Sequence, residues 1–128
     1  MASRSLDDLS PAVRQLAGLA LSNCQAVGLF VLVTCTGRTG AEQADLYAQG
    51  RTKPGRIVTW AKPGESWHEK GRALDVVPMR AGKCVWGTKG ADLVLWLAVA
   101  AEFEAVGFEW AGRWPARVRE FPHFQIKG

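Results

Sequence analysis

The chain has 128 residues, of which 48% are hydrophobic and 22% are charged, a size and composition suited to one domain around a single buried core. This balance excludes an intrinsically disordered chain and a polytopic membrane protein. The formal net charge of +4 favours an anionic partner, such as nucleic acid, anionic lipid or a cell-wall polymer, without selecting one of them.

The first predicted helix spans Pro11–Val27. Ser10 before a proline is typical of a helix N-cap, and apolar residues then recur at helical spacing until Gly28. Residues 15–37 carry no charge, which raises a membrane-spanning alternative, but three polar residues interrupt the middle of this run, Ser22, Asn23 and Gln25. We interpret the run as a helix followed by a buried strand.

A strand and a second helix follow. The run Leu29–Thr36 is rich in β-branched residues and lies between two glycines, which predicts an interior strand. Thr39 and Glu42 form a capping-box pattern, which predicts a helix over Gly40–Gln49. Arg38 is therefore expected where the strand meets the helix.

The middle of the chain predicts a loop and a hairpin. Arg51–Trp67 contains two Pro-Gly pairs and predicts a long irregular surface loop, and long loops in compact domains are often functional. Arg72–Val77 predicts a strand, and a turn at Ala81–Gly82 would lead into another strand around Cys84–Trp86.

The last part of the chain predicts a third helix and a final strand. Ala91–Val106 is apolar on nearly all sides, which predicts a central buried helix that ends at Gly107. The tail alternates aromatic and charged residues and ends in FPHFQIK, a predicted strand. The expected fold is α+β, with three helices packed on a small antiparallel sheet, in a single domain over residues 1–128.

Cysteine usage and the N-terminus indicate the compartment. Cys24, Cys35 and Cys84 form no CxxC pair, so we expect no disulfide framework and a reducing compartment. The N-terminus lacks a basic segment followed by an apolar one, so we expect no signal peptide and synthesis in the cytoplasm.

The two histidines, His68 and His123, lie in polar, aromatic segments rather than on an apolar helix face. His68 precedes the predicted strand that carries Asp75, whose neighbours Leu74 and Val76 are apolar. A carboxylate in such surroundings requires a partner, and a metal ion would use it together with a histidine. His123 would complete three ligands and leave one position open, as in catalytic sites. Two isolated histidines and one acid are also ordinary in a chain of this size.

Glu120 lies three residues before His123, where an acid can act as a general base. From the residues alone, a surface acid paired with Arg117 or Arg119 is an equal alternative. The HExxH motif is not present, because an arginine stands four residues after His68.

The sequence TGRTGAEQADLYAQGRTKPGRIVTWAKPGESWHEKGRALDVV, with the later EWAGRW and FPHFQ, resembles the M15 family of peptidoglycan peptidases over about Thr36–Gln125. Its most specific elements are Ser-x-His-x6-Asp and Pro-His-Phe. The chain is most similar to the small phage endolysins that cut between L-alanine and D-glutamate. These enzymes are related to D-alanyl-D-alanine carboxypeptidases and dipeptidases.

The resemblance implies roles for individual residues. A zinc ion would be bound by His68, Asp75 and His123, in the fold of the D-alanyl-D-alanine peptidases. Glu120 would be the catalytic base, and Arg38 would steady the substrate carbonyl.

Ser66, Trp67 and Trp110 are candidate substrate contacts. Ser66 is equally well explained as a turn residue. Trp60, Trp67, Trp110 and Trp114 could line a substrate groove, but they are equally well explained by shielding of the zinc from water, with Trp86 and Trp96 in the core.

The implied function is a zinc-dependent peptidoglycan hydrolase of the endolysin type that cleaves the L-alanyl-D-glutamate bond of the stem peptide. The alternatives are a D-alanyl-D-alanine carboxypeptidase or dipeptidase, and a non-catalytic wall-binding module of the same fold. A nucleic-acid-binding domain lacks any recognised motif here.

The expected partner is the peptidoglycan stem peptide, without nucleic acid and without stable membrane insertion. We expect a monomer with no separate cell-wall-binding domain. Without a signal peptide, a phage lysis enzyme would reach the wall only after release through a membrane lesion.

Overall fold

The computed structural model describes residues 3–126. Within that range the α-helices are α1 (Pro11–Ala26), α2 (Gly40–Ala48) and α3 (Ala91–Ala105). The strands are β1 (Phe30–Cys35), β2 (Ala73–Arg80), β3 (Lys83–Cys84), β4 (Glu109–Trp110) and β5 (His123–Gln125). Short 3-10 helices cover Leu6–Asp8, Ala111–Arg113 and Ala116–Val118. The predicted α+β class, with helices packed on an antiparallel sheet, is confirmed.

The strands form one antiparallel sheet in the order β1-β2-β5-β4, with β3 pairing the far end of β2. Strand β2 is therefore bordered by β1 and β5. Its Asp75 is the cross-strand partner of Cys35 on one side and of His123 on the other. Directly opposed residues of an antiparallel pair have Cβ atoms about 4.5–5.5 Å apart, so the register itself brings Asp75 and His123 together.

The hydrophobic core lies between the sheet and helices α1 and α3. The buried residues of α1 recur at helical spacing and those of α3 meet them, namely Val13, Ala17, Ala20, Cys24, Trp96, Val99, Ala100 and Phe103. Leu74 and Val76 of β2 are fully buried in this core. Because strand side chains alternate between faces, Asp75 projects to the opposite face of the sheet.

The predicted hairpin turn and long loop are confirmed. Ala81 and Gly82 have φ of 53° and 77°, as a two-residue type I′ turn requires, and they join β2 to β3. The long segment after α2 has no helix or extended strand between Arg51 and Trp67.

Two packing predictions are wrong. Helix α3 is buried on one side only, because Val94 is 66% and Leu97 is 39% exposed. Trp96 lies in the core as expected, but Trp86 is 57% exposed on the loop after β3.

No helix within residues 3–126 has the length and apolar content that crossing a membrane requires. The described cysteines are free, with Cys24 and Cys35 buried and Cys84 exposed.

Gly71 fixes the turn that leads into β2. Its φ is 69°, its carbonyl accepts the Ser10 N–H at 2.9 Å, and an added Cβ would lie 2.9 Å from the Ser10 nitrogen. A side chain here meets backbone rather than a flexible side chain. The turn therefore requires glycine for conformation and for space.

Gly71→Ala is expected to lower the free energy of unfolding by about 2–5 kcal/mol, since positive φ costs about 1–2 and overpacking about 1–3 kcal/mol. Gly64→Ala is the matched control, because Gly64 has φ of 85° and no atom within 4 Å of an added Cβ. Urea denaturation measures both. Equal losses for the two variants would contradict the close approach at Gly71.

Candidate active site

Three side-chain atoms converge on the face of the sheet opposite the core. His68 Nε2 lies 3.0 Å from Asp75 Oδ1, and His123 Nδ1 lies 3.2 Å from the same oxygen. The two ring nitrogens are 3.2 Å apart. His68 is 2% and His123 is 7% exposed, so little water reaches the cluster from the sides. The structure thus brings the three predicted metal ligands together.

The local backbone explains this placement. Asp75 and His123 are opposed in the β2–β5 register. His68 lies in the turn before β2, which is held by the Arg72 N–H on the Trp67 carbonyl at 3.0 Å and by the Gly71 N–H on the His68 carbonyl at 3.3 Å. This tight turn places the His68 ring next to Asp75 of β2, the strand that follows it.

Hydrogen bonds on the outer side of each ring determine which nitrogen carries the proton. His68 Nδ1 donates to the Thr36 carbonyl at 2.7 Å, and His123 Nε2 donates to Gln125 Oε1 at 2.8 Å. In the neutral rings, His68 Nε2 and His123 Nδ1 then carry lone pairs. Both lone pairs face Asp75 Oδ1.

Three electron-pair donors so close together require a cation between them. Burial lowers the pKa of His68, but the charge and hydrogen bond of the Asp75 carboxylate outweigh it and raise this pKa to about 10. Burial likewise raises the pKa of Asp75, but His68 and His123 hold it well below its usual range. A proton on His68 therefore supplies the positive charge that a metal ion would otherwise supply. Two imidazole nitrogens and a carboxylate oxygen also fit a zinc ion in donor type.

Cys35 is a neighbour that the sequence did not single out. Its Sγ lies 3.7 Å from His68 Nδ1, and Cys35, His68 and Asp75 have donor atoms within 4.8 Å of one another, close enough to share an ion. However, Cys35 contacts the ring nitrogen that donates to Thr36, whereas Asp75 contacts the other. We therefore favour His123 over Cys35 as the third ligand.

Arg38 holds the other carboxylate oxygen of Asp75. Its Nη2 donates to Asp75 Oδ2 at 3.3 Å and its Nη1 donates to Gln43 Oε1 at 3.1 Å. Gln43 is fully buried, and its Nε2 donates to the Ala61 carbonyl at 2.7 Å. Gln43, which the sequence did not single out, therefore joins Arg38 to the segment Thr59–Ala61.

A cleft of about 470 Å³ lies above the cluster. Its lining includes the predicted ligands His68 and His123, the predicted base Glu120, Arg38 and the segment Thr59–Ala61. Burial raises the pKa of Glu120, and the nearby Asp75 charge raises it further, while the histidines and Arg38 act against this shift. Glu120 is thus a partly buried acid on the wall of the cleft, not a surface acid paired with arginine.

The predicted substrate contacts have different surroundings. Trp67 lines the cleft, and Ser66 lines it too, although Ser66 is 4% exposed and its Oγ accepts the His68 N–H. Trp110 does not line the cleft, because it is 2% exposed, its Nε1 donates to the Phe121 carbonyl, and its ring stacks on Phe124.

Trp114, which follows Trp110 by four residues, lines the cleft instead. Its ring centroid lies 5.7 Å from that of His123, and its Nε1 donates to Glu109 Oε2 at 2.6 Å. Trp60 also lines the cleft and is 50% exposed. The aromatic walls of the cleft therefore come from Trp60, Trp67 and Trp114.

Two imidazoles and a carboxylate that converge beside an acid in a cleft define a metal-dependent hydrolase. A family model of the M15 peptidases, described as D-alanyl-D-alanine carboxypeptidase, matches residues 60–126. The peptidoglycan L-alanyl-D-glutamate endopeptidase CwlK of Bacillus subtilis (strain 168) is 37% identical over 125 residues, covering 93% of this chain and 74% of CwlK. The chain belongs to the M15 family of peptidoglycan peptidases.

Solved structures share the fold. The Serratia marcescens L-Ala D-Glu endopeptidase ChiX superposes with a TM-score of 0.70 at 24% identity, covering 99% of this chain and 89% of ChiX. The vancomycin resistance D,D-pentapeptidase VanY, solved in complex with Zn(II), superposes with a TM-score of 0.68 at 17% identity, covering 94% of this chain and 73% of VanY.

Gln43→Leu is expected to lower the free energy of unfolding by about 2–4 kcal/mol, because Arg38 loses an acceptor and the partly buried Ala61 carbonyl loses a donor. Gln49→Leu is the control at the end of the same helix. Gln49 makes one exposed bond to the Arg56 carbonyl, so about 1 kcal/mol or less is expected. Chemical denaturation compares them. A loss for Gln43→Leu no larger than for Gln49→Leu would contradict the joining role of Gln43.

Proposed function

We propose that the protein is a zinc-dependent endopeptidase that cleaves the L-alanyl-D-glutamate bond of the peptidoglycan stem peptide. The observation that carries the proposal is the convergence of His68, Asp75 and His123 at a cleft that also holds Glu120. CwlK, which is 37% identical to this chain, is named as an endopeptidase for the same L-alanyl-D-glutamate bond.

His68 Nε2, Asp75 Oδ1 and His123 Nδ1 would hold the zinc ion. Three protein ligands leave a coordination position open, which separates catalytic zinc sites from structural ones. When bound, the ion polarises the scissile carbonyl and makes water more acidic. The Zn(II) complex of VanY supports zinc as the ion that this fold accepts.

Glu120 transfers a proton from the attacking water to the leaving amine. Burial and the Asp75 charge raise its pKa, which improves its ability to accept a proton from the attacking water. The water oxygen bonds to the carbonyl carbon, the carbon–nitrogen bond breaks, and Glu120 delivers the same proton to the leaving amine. Glu120 is thereby restored for the next turnover.

Arg38 stabilises the negative charge that develops on the carbonyl oxygen. Each terminal nitrogen carries two protons, of which Asp75 and Gln43 take one each. The remaining protons are available to the substrate. Because the guanidinium is held on two sides before substrate arrives, little reorganisation is needed during the reaction.

The charges of the cleft favour an endopeptidase over a carboxypeptidase. Arg38 is the only lysine or arginine among the described residues that line the cleft, whereas Glu65, Glu109 and Glu120 line it as acids. A carboxypeptidase must bind a terminal carboxylate, which would need a cation besides Arg38, because Arg38 pairs with Asp75 and its remaining protons are assigned to the scissile carbonyl oxygen. A bond inside the stem peptide makes no such demand. A non-catalytic wall-binding module would not need Glu120 beside three ligands.

Replacing both histidines, His68→Ala with His123→Ala, is expected to abolish zinc binding, because two of three ligands are lost. Elemental analysis of protein purified without added metal should give one zinc per parent chain and almost none in the variant. The variant should also unfold at a lower temperature, since zinc binding stabilises the native state. Cys35→Ala is the control and should keep its zinc. Full zinc content in the double variant would contradict the assignment.

Glu120→Gln is expected to keep zinc and fold but to lose about 100 to 10,000-fold in turnover, because an amide of the same shape cannot accept the proton. Glu65→Gln is the matched control, an exposed acid on the same cleft. Release of peptides from purified peptidoglycan measures the rate. Activity of Glu120→Gln within a few-fold of the parent would assign the base to another group.

Digestion of purified peptidoglycan is expected to free stem peptides with new N-terminal glutamate and no free D-alanine. Mass spectrometry of the released peptides and amino acids distinguishes these products. Free D-alanine without N-terminal glutamate would show a D-alanyl-D-alanine carboxypeptidase instead.

A further inference from the structure

The His123 ring is held from both sides by buried groups. Its Nδ1 faces Asp75 and His68, and its Nε2 donates to Gln125 Oε1 at 2.8 Å. Gln125 is 2% exposed. The proton of His123 therefore has a fixed acceptor on the side that faces away from Asp75.

Gln125 is rigidly placed by the sheet. It lies two residues after His123 on β5, so both side chains project from the same face of the strand. Its backbone is paired with Ala73 of β2 on one side and with Glu109 of β4 on the other. An acceptor in the centre of a sheet has little freedom to leave its donor.

The two histidines differ in how their outer nitrogens are held. His68 donates to a backbone carbonyl, that of Thr36, which no side-chain substitution removes. His123 donates to a side chain, that of Gln125. Of these two contacts, only the one to His123 can be altered in strength by changing a single residue.

We infer that Gln125 is a positioning residue that fixes the His123 ring with its Nδ1 lone pair toward the zinc position and so contributes to zinc affinity. A hydrogen bond to the outer nitrogen of a metal-binding histidine orients the ring and makes its inner nitrogen a better donor. The inference rests on the proposed function, because it takes His123 as a zinc ligand.

Variants at Gln125 that remove the hydrogen-bond acceptor and variants that keep it are expected to differ in zinc affinity. Methionine matches glutamine in length but removes the acceptor, so Gln125→Met should weaken zinc binding by about 10 to 100-fold. Glutamate keeps an acceptor at the same position and adds charge, so Gln125→Glu should bind zinc within a few-fold of the parent, or more tightly. A residue that only fills space would not separate these two variants in this order.

The experiment measures zinc transfer from the zinc-loaded protein to a chromophoric chelator, at equilibrium and as a release rate. Gln25→Met repeats the substitution at an exposed glutamine of α1 and should match the parent. Circular dichroism confirms that each variant is folded, and Gln125→Glu still decides the question if Gln125→Met does not fold.

Weak zinc binding by Gln125→Met together with retained binding by Gln125→Glu supports the inference. Parental affinity in both variants overturns it, and so does an equal loss in both, which would assign Gln125 a packing role. If Gln125→Met does not fold, a more than tenfold loss in Gln125→Glu overturns it and retained binding supports it. His123→Ala distinguishes a failure of this inference from a failure of the proposed zinc site, because parental zinc affinity in that variant would show that His123 is not a ligand.

Discussion

The largely buried carboxylate of Asp75 organises the active site. A charge on a central strand is costly unless it is compensated, and here each oxygen has its own partners. Arg38 holds Oδ2, while His68 and His123 face Oδ1. Because Asp75 and His123 are cross-strand partners, a slip of the β2–β5 register by one residue would turn one of them to the other face. The packing of Leu74 and Val76 into the core therefore also fixes the chemistry on the opposite face.

The pairing of the Asp75 carboxylate with the two histidines has a direct chemical consequence. With the outer nitrogens of both imidazoles donating to fixed acceptors, their inner nitrogens present lone pairs to a carboxylate oxygen. Without a metal ion, this arrangement binds a proton strongly, which is the physical meaning of the raised pKa of His68. Under the proposed function, the same arrangement would bind a zinc ion in place of the proton. The tendency to hold a proton and the proposed capacity to hold zinc would then be one property of the site.

Much of the fold followed from the sequence, because its signals are local. The capping box at Thr39 forms as predicted, and the helices and the β2–β3 turn lie within a few residues of the predicted bounds. Strand β4 was not predicted, since two residues carry no periodic pattern. The exposed face of α3 could not be predicted either, because its composition is apolar on both sides and only tertiary packing decides which side is covered.

The site was predictable only as far as residue type and family resemblance reach. His68, Asp75, His123 and Glu120 could be named. Both histidines contact Asp75, and they line one cleft together with Glu120. The contributions of Gln43 and Gln125 could not be predicted, because glutamine is common and its role here depends on burial and on partners distant in sequence or across the sheet. Trp110 was placed wrongly at the substrate, because a tryptophan near a site has the same sequence signal whether it packs inward or lines a cleft.

We propose that zinc is held by two imidazole nitrogens and one carboxylate oxygen, and X-ray absorption spectroscopy of the zinc-loaded protein tests this coordination most directly. We expect only nitrogen and oxygen neighbours at about 2.0–2.2 Å, with the multiple-scattering signature of two imidazoles. A sulfur neighbour at about 2.3 Å would instead identify Cys35 as a ligand and contradict the proposed coordination. The signature of a single imidazole would contradict it as well.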